Sequence, residues 1–385
     1  MSSEYIQPSF LLNAKWGRLS LVMNTLHCQD LLLVGSLLFC MTSCGREALR
    51  GTPIGTGGTM SLGGATGTGG VPATGGTAGT GGAAAAGGST SNTTVLLASG
   101  LSCPWNIAVD ASNVYWTNRY DDTVMKVALT GGTPVTVASG QKEPMGIAID
   151  ANNLYWTCRG SGKVMKASLT GGSPVTFASG QNTPDRIALD ANNIYWLNWG
   201  TDNATSNTKG SVMKLKLTGG TPITLASDQV YPYDIAVDAT AVYWTTMVGY
   251  LMKVGLTGGT PVMLEQGGTY YGVAVDATSI YFSDQSAIRK VGLEGGTPVF
   301  LNSESEIDYG APYALRIDTT NVYWSDYGLA IRKVGLNGGT PITLATEHQT
   351  SASGDDLGGD TDIAVDATSV YWSNCSAGTI MRVAK

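Results

Sequence analysis

The sequence predicts an all-β fold, a seven-bladed β-propeller of four-stranded blades spanning residues 93–385, on three observations. A motif ending in an aromatic pair recurs seven times, each copy reads as short strands parted by turn residues, and the strand missing from the last copy stands at the start of the region.

The motif is IAVDASNVYWT at 107–117, repeated as IAIDANNLYWT, IALDANNIYWL, IAVDATAVYWT, VAVDATSIYFS, LRIDTTNVYWS and IAVDATSVYWS. Its aspartates, Asp110, Asp150, Asp190, Asp238, Asp276, Asp318 and Asp366, lie 38 to 48 residues apart, the period of a propeller blade. In the first copy the strands read IAVD, VYWTN, VMKVAL and PVTVAS, with the alternation and β-branching of half-buried strands. Asp110-Ala111-Ser112-Asn113 suits an Asx reversal, and Thr130-Gly131-Gly132-Thr133 supplies glycine where a tight hairpin needs positive φ. The Gly-Gly-Thr/Ser-Pro turn occurs six times, because the seventh copy stops at Lys385 after its third strand. TVLLASG at 94–100 matches TPVTVASG at 133–140, so it is expected to pair with the last blade, close the ring and leave no open radial edge.

Residues alike in every copy are expected to serve packing. Trp116, Trp156, Trp196, Trp244, Trp324 and Trp372, with Phe282, read as core between blades. The seven aspartates read as caps of their own turns rather than metal ligands. Lys126, Lys166, Lys214, Lys253, Arg289, Arg332 and Arg382 occupy the third strands, where they are expected to lay their stems and charges against the Trp of the preceding strand.

Ahead of the propeller the chain reads as a leader and a tether. Lys15 and Arg18 precede the apolar run Leu31 to Met41, the length of a signal-peptide core and too short to span a bilayer. Met41-Thr42-Ser43-Cys44-Gly45 resembles the lipobox of bacterial lipoproteins, which implies lipidation of Cys44 and residues 1–44 as signal peptide. Met where Leu is usual departs from that pattern, and a cleaved secretory signal without lipid and a buried or interfacial segment are the other readings. Residues 45–92 form a Gly/Thr-rich tether; its segment 51–92 has no charged or aromatic side chain, cannot offset its backbone entropy by burial, and should reach roughly 35 Å. The expected location is therefore the bacterial cell envelope, possibly the outer membrane, with the membrane touched only through the lipid. A net charge of −7 with 13% charged residues excludes a clustered basic footprint for nucleic acid or anionic lipid.

Tyr281-Phe282-Ser283-Asp284 and Tyr323-Trp324-Ser325-Asp326, with the aromatic pair in every copy, resemble the YWTD-type propellers of lipoprotein-receptor-related proteins. That resemblance implies the fold and an extracellular binding or spacer module, although those domains have six blades. More distantly the chain is similar to gluconolactonase and lactonase propellers, which hold a divalent ion at the channel mouth; Asp234, Asp362 and Asn106 could imitate that set, but no glutamate occupies a matching position.

Length variation concentrates in connections on one face, the longest being Asn198 to Ser211, Asn302 to Ala314 and Thr346 to Asp362. Variable loops on a rigid scaffold mark that face and its axial mouth as the expected site. Trp105, Asn106, Asp185, Arg186, Tyr233, Asp234, Tyr271, Tyr313 and Asp362 should ring the mouth, and Arg316 stands where six other copies have Ala. Aromatics interleaved with Asp and Arg suit a carbohydrate, peptide or protein ligand; the competing expectation is a hydrated mouth whose charges satisfy one another. No catalytic residue and no metal site is assigned: His27 lies in the leader, His348 stands alone in a loop, and the acidic stretch 354–362 offers oxygen ligands for Ca²⁺ without EF-hand spacing. Cys103 and Cys375 could come within disulfide range across the ring closure, with Cys158 left over; three reduced cysteines are the alternative. The expected function is that of a monomeric, surface-tethered, non-enzymatic binding propeller; the alternative is a divalent-metal-dependent lactonase or esterase.

Overall fold

A computed structural model describes residues 93–203, 206–302, 311–326, 330–346 and 362–385. Cys44 and the leader, the tether, His348 and the acidic stretch up to Thr361 lie outside the described residues.

Seven four-stranded antiparallel sheets form the blades of the propeller. Blade one runs Pro104–Val109, Asn113–Asn118, Thr123–Ala128, Val135–Ala138 from the axis outward. The innermost strands of blades two to seven are Pro144–Ile149, Pro184–Leu189, Pro232–Val237, Tyr270–Val275, Pro312–Ile317 and Ile363–Val365. Val95–Ala98 pairs with Thr379–Ala384 as the outer strand of blade seven, Val95 opposite Arg382 and Leu96 opposite Met381. Cys103 and Cys375 are bonded to each other across this closure, 272 residues apart in sequence. Cys158 is free and buried, and burial pushes its thiol up to about 12.

The aromatic pair works because successive strand residues point to opposite faces of a sheet. Tyr115 of blade one packs in one cluster with Trp156 of blade two, and Tyr155 with Trp196 of blade three. The same step runs around the ring until Tyr371 of blade seven meets Trp116 of blade one, together with Leu97 and Ile380. Each tyrosine hydroxyl also donates to the aspartate of its own first turn, for example Tyr155 to Asp150 Oδ2 at 2.9 Å. The other carboxylate oxygen accepts from the backbone N–H of Asn152 and Asn153, both at 2.7 Å, which is the capping role expected of these aspartates.

Five of the seven third-strand cations differ from expectation in register, whereas Arg289 and Arg332 lie where expected. Lys126, Lys166, Lys214, Lys253 and Arg382 face the tyrosine, not the tryptophan, and the four lysine ammoniums lie 5.4–5.9 Å from the tyrosine ring centroids. In blades five and six that place belongs to Lys290 and Lys333, whereas Arg289 and Arg332 face Phe282 and Trp324 and ion-pair with Asp284 and Asp326. Lys214, Lys253, Lys290 and Arg382 also reach across the blade boundary: Lys214 Nζ donates to Leu256 O at 2.8 Å and Arg382 Nη1 to Leu129 O at 3.1 Å. Stem packing and a capped carbonyl in the next blade explain a repeated cation without a ligand.

Candidate functional site

The channel mouth at the start of the innermost strands is shaped by an irregularity that those strands share in blades one to six. In blade one Pro104 faces Asn118 and Ile107 faces Trp116, so Trp105 and Asn106 together oppose Thr117. Such a bulge re-aims side chains. Thr117 Oγ1 accepts from Asn106 N at 3.2 Å and donates to Met145 O of blade two at 2.8 Å. Thr157, Thr245 and Ser373 likewise donate to the carbonyls of Asp185, Tyr271 and Trp105, a belt that ties the bulges blade to blade. Blade three has Leu197 in this place, and beside it Trp199 packs on Tyr231 and Tyr233 with centroids 6.0 and 6.4 Å apart.

The second residue of each bulge pair governs the channel. Asn106, Arg186, Asp234 and Asp362 line one end of a cavity of about 390 Å³, with Ala108, Ala148, Ala188, Ala236, Ala274 and Ala364 further along. Blades two and five carry glycine instead; a Cβ on Gly146 would stand 2.3 Å from Asp185 O, so blade two has no room for a side chain there. Arg316 extends from the alanine ring to Asp362, its Nη2 donating to Oδ1 at 2.9 Å.

Two guanidiniums and two carboxylates therefore share the channel end. Asp362 Oδ2 accepts from Asn106 Nδ2 at 3.0 Å and Ile107 N at 3.2 Å, and Arg186 Nη1 lies 4.0 Å away. Asp234 accepts from Ile235 N and Val273 N, each at 3.0 Å. Burial raises the Asp234 carboxyl above its usual range, outweighing the nearby Arg316 and Arg186 and the Val273 N–H. Burial alone would loosen the Arg186 proton, but Tyr233 and the carboxylates of Asp362, Asp234 and Asp185 hold it more firmly than usual.

The first residue of each pair meets its neighbours around the rim. Tyr233 packs edge-on against Tyr271 and Tyr313, with centroids 5.8 and 5.7 Å apart, and Tyr271 lies 5.4 Å from Tyr313. Burial pushes the Tyr233 hydroxyl well above its ordinary range, with Tyr313 adding to the effect. Trp105 takes the Arg119 guanidinium at 4.8 Å, and Asp185 stands 4.0 Å from Arg159, which in turn lies 5.5 Å from the Trp199 ring. The structure thus brings together all nine predicted mouth residues, with Arg316.

Arg119, Arg159, Trp199 and Tyr231 belong to the rim although sequence reasoning did not single them out. The first three follow the second strand at equivalent places, three residues after Trp116, Trp156 and Trp196. Their N–H groups donate to the carbonyls of Cys103, Glu143 and Thr183 at 2.9–3.1 Å. Those three residues, and Tyr231, have φ of 45–54° although each precedes a proline, a backbone state that costs on the order of 1–3 kcal/mol. The loop hydrogen bonds hold it.

The oxygens of Asp234 and Asp362 do not suit a divalent ion: each carboxylate accepts backbone N–H groups and both guanidiniums stand among them. Among the described residues no group of three or more His, Cys, Asp or Glu side chains is placed to hold a metal.

No protein-family model matches the chain, and no curated protein matches it. Among solved structures it is similar to virginiamycin B lyase from Staphylococcus aureus, at 12% identity and a TM-score of 0.61, covering 76% of this chain and 98% of that one. A streptogramin B lyase is similar at 14% identity and a TM-score of 0.62, with 76% and 97% covered. A chain of a nidogen/laminin complex aligns at 20% identity with a TM-score of 0.47 over 60% and 91%, too low to bear on the YWTD resemblance. At these identities the two lyases establish a shared propeller fold and nothing of its chemistry.

Proposed function

We propose that this chain is an exported, lipid-tethered binding propeller that takes a polar organic ligand, a carbohydrate, peptide or protein segment, at the mouth on its long-loop face. One observation carries the reading: an aromatic rim adjoins an Arg–Asp set in which the Asp234 and Asp362 carboxylates are engaged by N–H donors. Rigid aromatics beside planar donors bind oriented polar ligands well, because burying the rings favours association and the donors fix the pose. The leader and the Gly/Thr-rich tether support presentation at a membrane surface, with Cys44 as the lipidated residue. The fold shared with the two lyases is compatible with this reading and with others.

Screening the full chain on carbohydrate and peptide arrays tests it. The reading expects a ligand whose binding falls at least about tenfold in Tyr271→Ala and Tyr313→Ala; a ligand indifferent to both substitutions would refute it. A hydrolase reading retains one observation, the raised carboxyl of Asp234 in the mouth, since perturbed carboxyls mark reaction sites. Turnover of lactones or esters that Asp234→Asn abolishes would favour it.

A further inference from the structure

We infer that Arg186 is the recognition residue for a carboxylate carried by an acidic saccharide bound in the axial mouth. This narrows the ligand of the binding reading above and rests on it.

The starting point is an imbalance of donors and acceptors. The Arg186 side chain is 11% exposed, lines the channel, and lies 4.0 Å from Asp362, beyond hydrogen-bond reach. Among the described residues Asp362 is the one carboxylate within ion-pair range of its guanidinium. A guanidinium brings five N–H donors, and that of Arg186 lines the channel, where a ligand can meet them. Arg316, by contrast, donates to Leu315 O at 2.8 Å and to Asp362 at 2.9 Å. The carboxylates facing Arg186 are committed elsewhere: Asp362 to Asn106, Ile107 and Arg316, Asp234 to Ile235 and Val273. Asp185 stands 4.0 Å from Arg159. A ligand that completes Arg186 must bring acceptors.

The charges decide which acceptor. Planar guanidinium pairs best with a planar two-oxygen group in bidentate fashion. Asp185, Asp234 and Asp362 surround Arg186, and repulsion at this range grows with each negative charge on the ligand. A monoanionic carboxylate meets less of it than a phosphate dianion. The ring surfaces decide what carries the group. Tyr233 lies 5.6 Å from the Arg186 guanidinium, with Tyr271 and Tyr313 continuing the aromatic surface outward. A pyranose presents C–H groups to such rings while an equatorial carboxylate reaches in plane towards the arginine.

The test is calorimetric titration of the full chain with trigalacturonate, its neutral methyl ester and an acidic tripeptide, repeated on Arg186→Gln, Arg186→Lys and Tyr313→Ala, with thermal midpoints as the fold control. The charge-assisted pair predicts that the wild type binds trigalacturonate at least about tenfold tighter than the ester. Arg186→Gln should erase that preference, bringing the acid and the ester to equal affinity, while Tyr313→Ala should weaken both and keep their ratio. If Arg186→Gln does not fold, Arg186→Lys should keep the charge and lose most of the preference, because it cannot pair in bidentate fashion. Equal binding of acid and ester, or a preference that survives loss of Arg186, overturns the carboxylate assignment and leaves mouth binding standing. Binding of the tripeptide but of neither sugar overturns the saccharide. Binding of none of the three overturns this inference, and the array screen then decides the broader reading separately.

Discussion

Replacing both Cys103 and Cys375 with serine removes the one covalent link across the ring closure, and the size of the effect follows from the topology. The bond closes a loop with a sequence separation of 272, for which the chain-entropy relation gives about 5.6 kcal/mol of constraint on the unfolded chain. Measured values usually fall below that ideal, so the expected loss is about 2–5 kcal/mol. What remains at the closure is the pairing of Val95–Ala98 and the burial of Leu97, 3% exposed, worth about 2 kcal/mol. The strand should therefore stay in place at 25 °C but open more often. Urea unfolding would show the lower stability, and hydrogen exchange would show faster opening at residues 95–98 than in the wild type. At about 2–4 °C per kcal/mol, the thermal midpoint should fall by roughly 5–15 °C. Equal stability in variant and wild type, or two reactive thiols from Cys103 and Cys375 in the unreduced, unfolded protein, would refute the closure.

Six turn aspartates, Asp150, Asp190, Asp238, Asp276, Asp318 and Asp366, are held below the usual carboxylate range: burial opposes this, but backbone N–H and tyrosine donors outweigh it. A folded value below the unfolded one gives stability that is full above about pH 4 and drains as pH falls, so acid titration of the unfolding free energy should drop steeply below that point. Asp234 has the opposite sign: its raised carboxyl contributes at low pH and loses that contribution as pH rises past about 4, so Asp234→Asn should unfold at no lower temperature than wild type at pH 7. Tyr155→Phe should cost about 1–2 kcal/mol in chemical denaturation, the worth of a hydrogen bond to the charged Asp150. Cys158 should resist alkylation in the native protein and react after unfolding, because its buried thiol is pushed up to about 12.

The architecture was legible because its determinants are periodic. Seven aspartates, each followed by a Tyr–Trp or, once, a Tyr–Phe pair, announce the blades, and the match of 94–100 to an outer strand announces the closure. Placing residues on faces needed more than composition. Tyr115 and Trp116 are neighbours, so a shift of one residue moves Lys126 from one ring to the other, and the pairing of Met125 with Trp116 settles it only in three dimensions. The mouth residues were found because each falls at an innermost-strand start, where Arg316 broke a column of alanines. Arg119, Arg159 and Trp199 lay in loops, and their common distance from the preceding tryptophan was the available signal. The left-handed residues before proline carry no such mark, since Cys103, Glu143, Thr183 and Tyr231 share no side-chain chemistry.

The working surface itself is open to direct measurement by hydrogen exchange on the full chain, with and without the strongest ligand from the carbohydrate and peptide arrays. The account predicts slowed exchange at 104–106, 184–187, 232–235, 270–273 and 312–316, where the bulged strand starts ring the channel. Slowing confined instead to the opposite-face turns at 110–113 and 150–153, or to the outer strands, would contradict it.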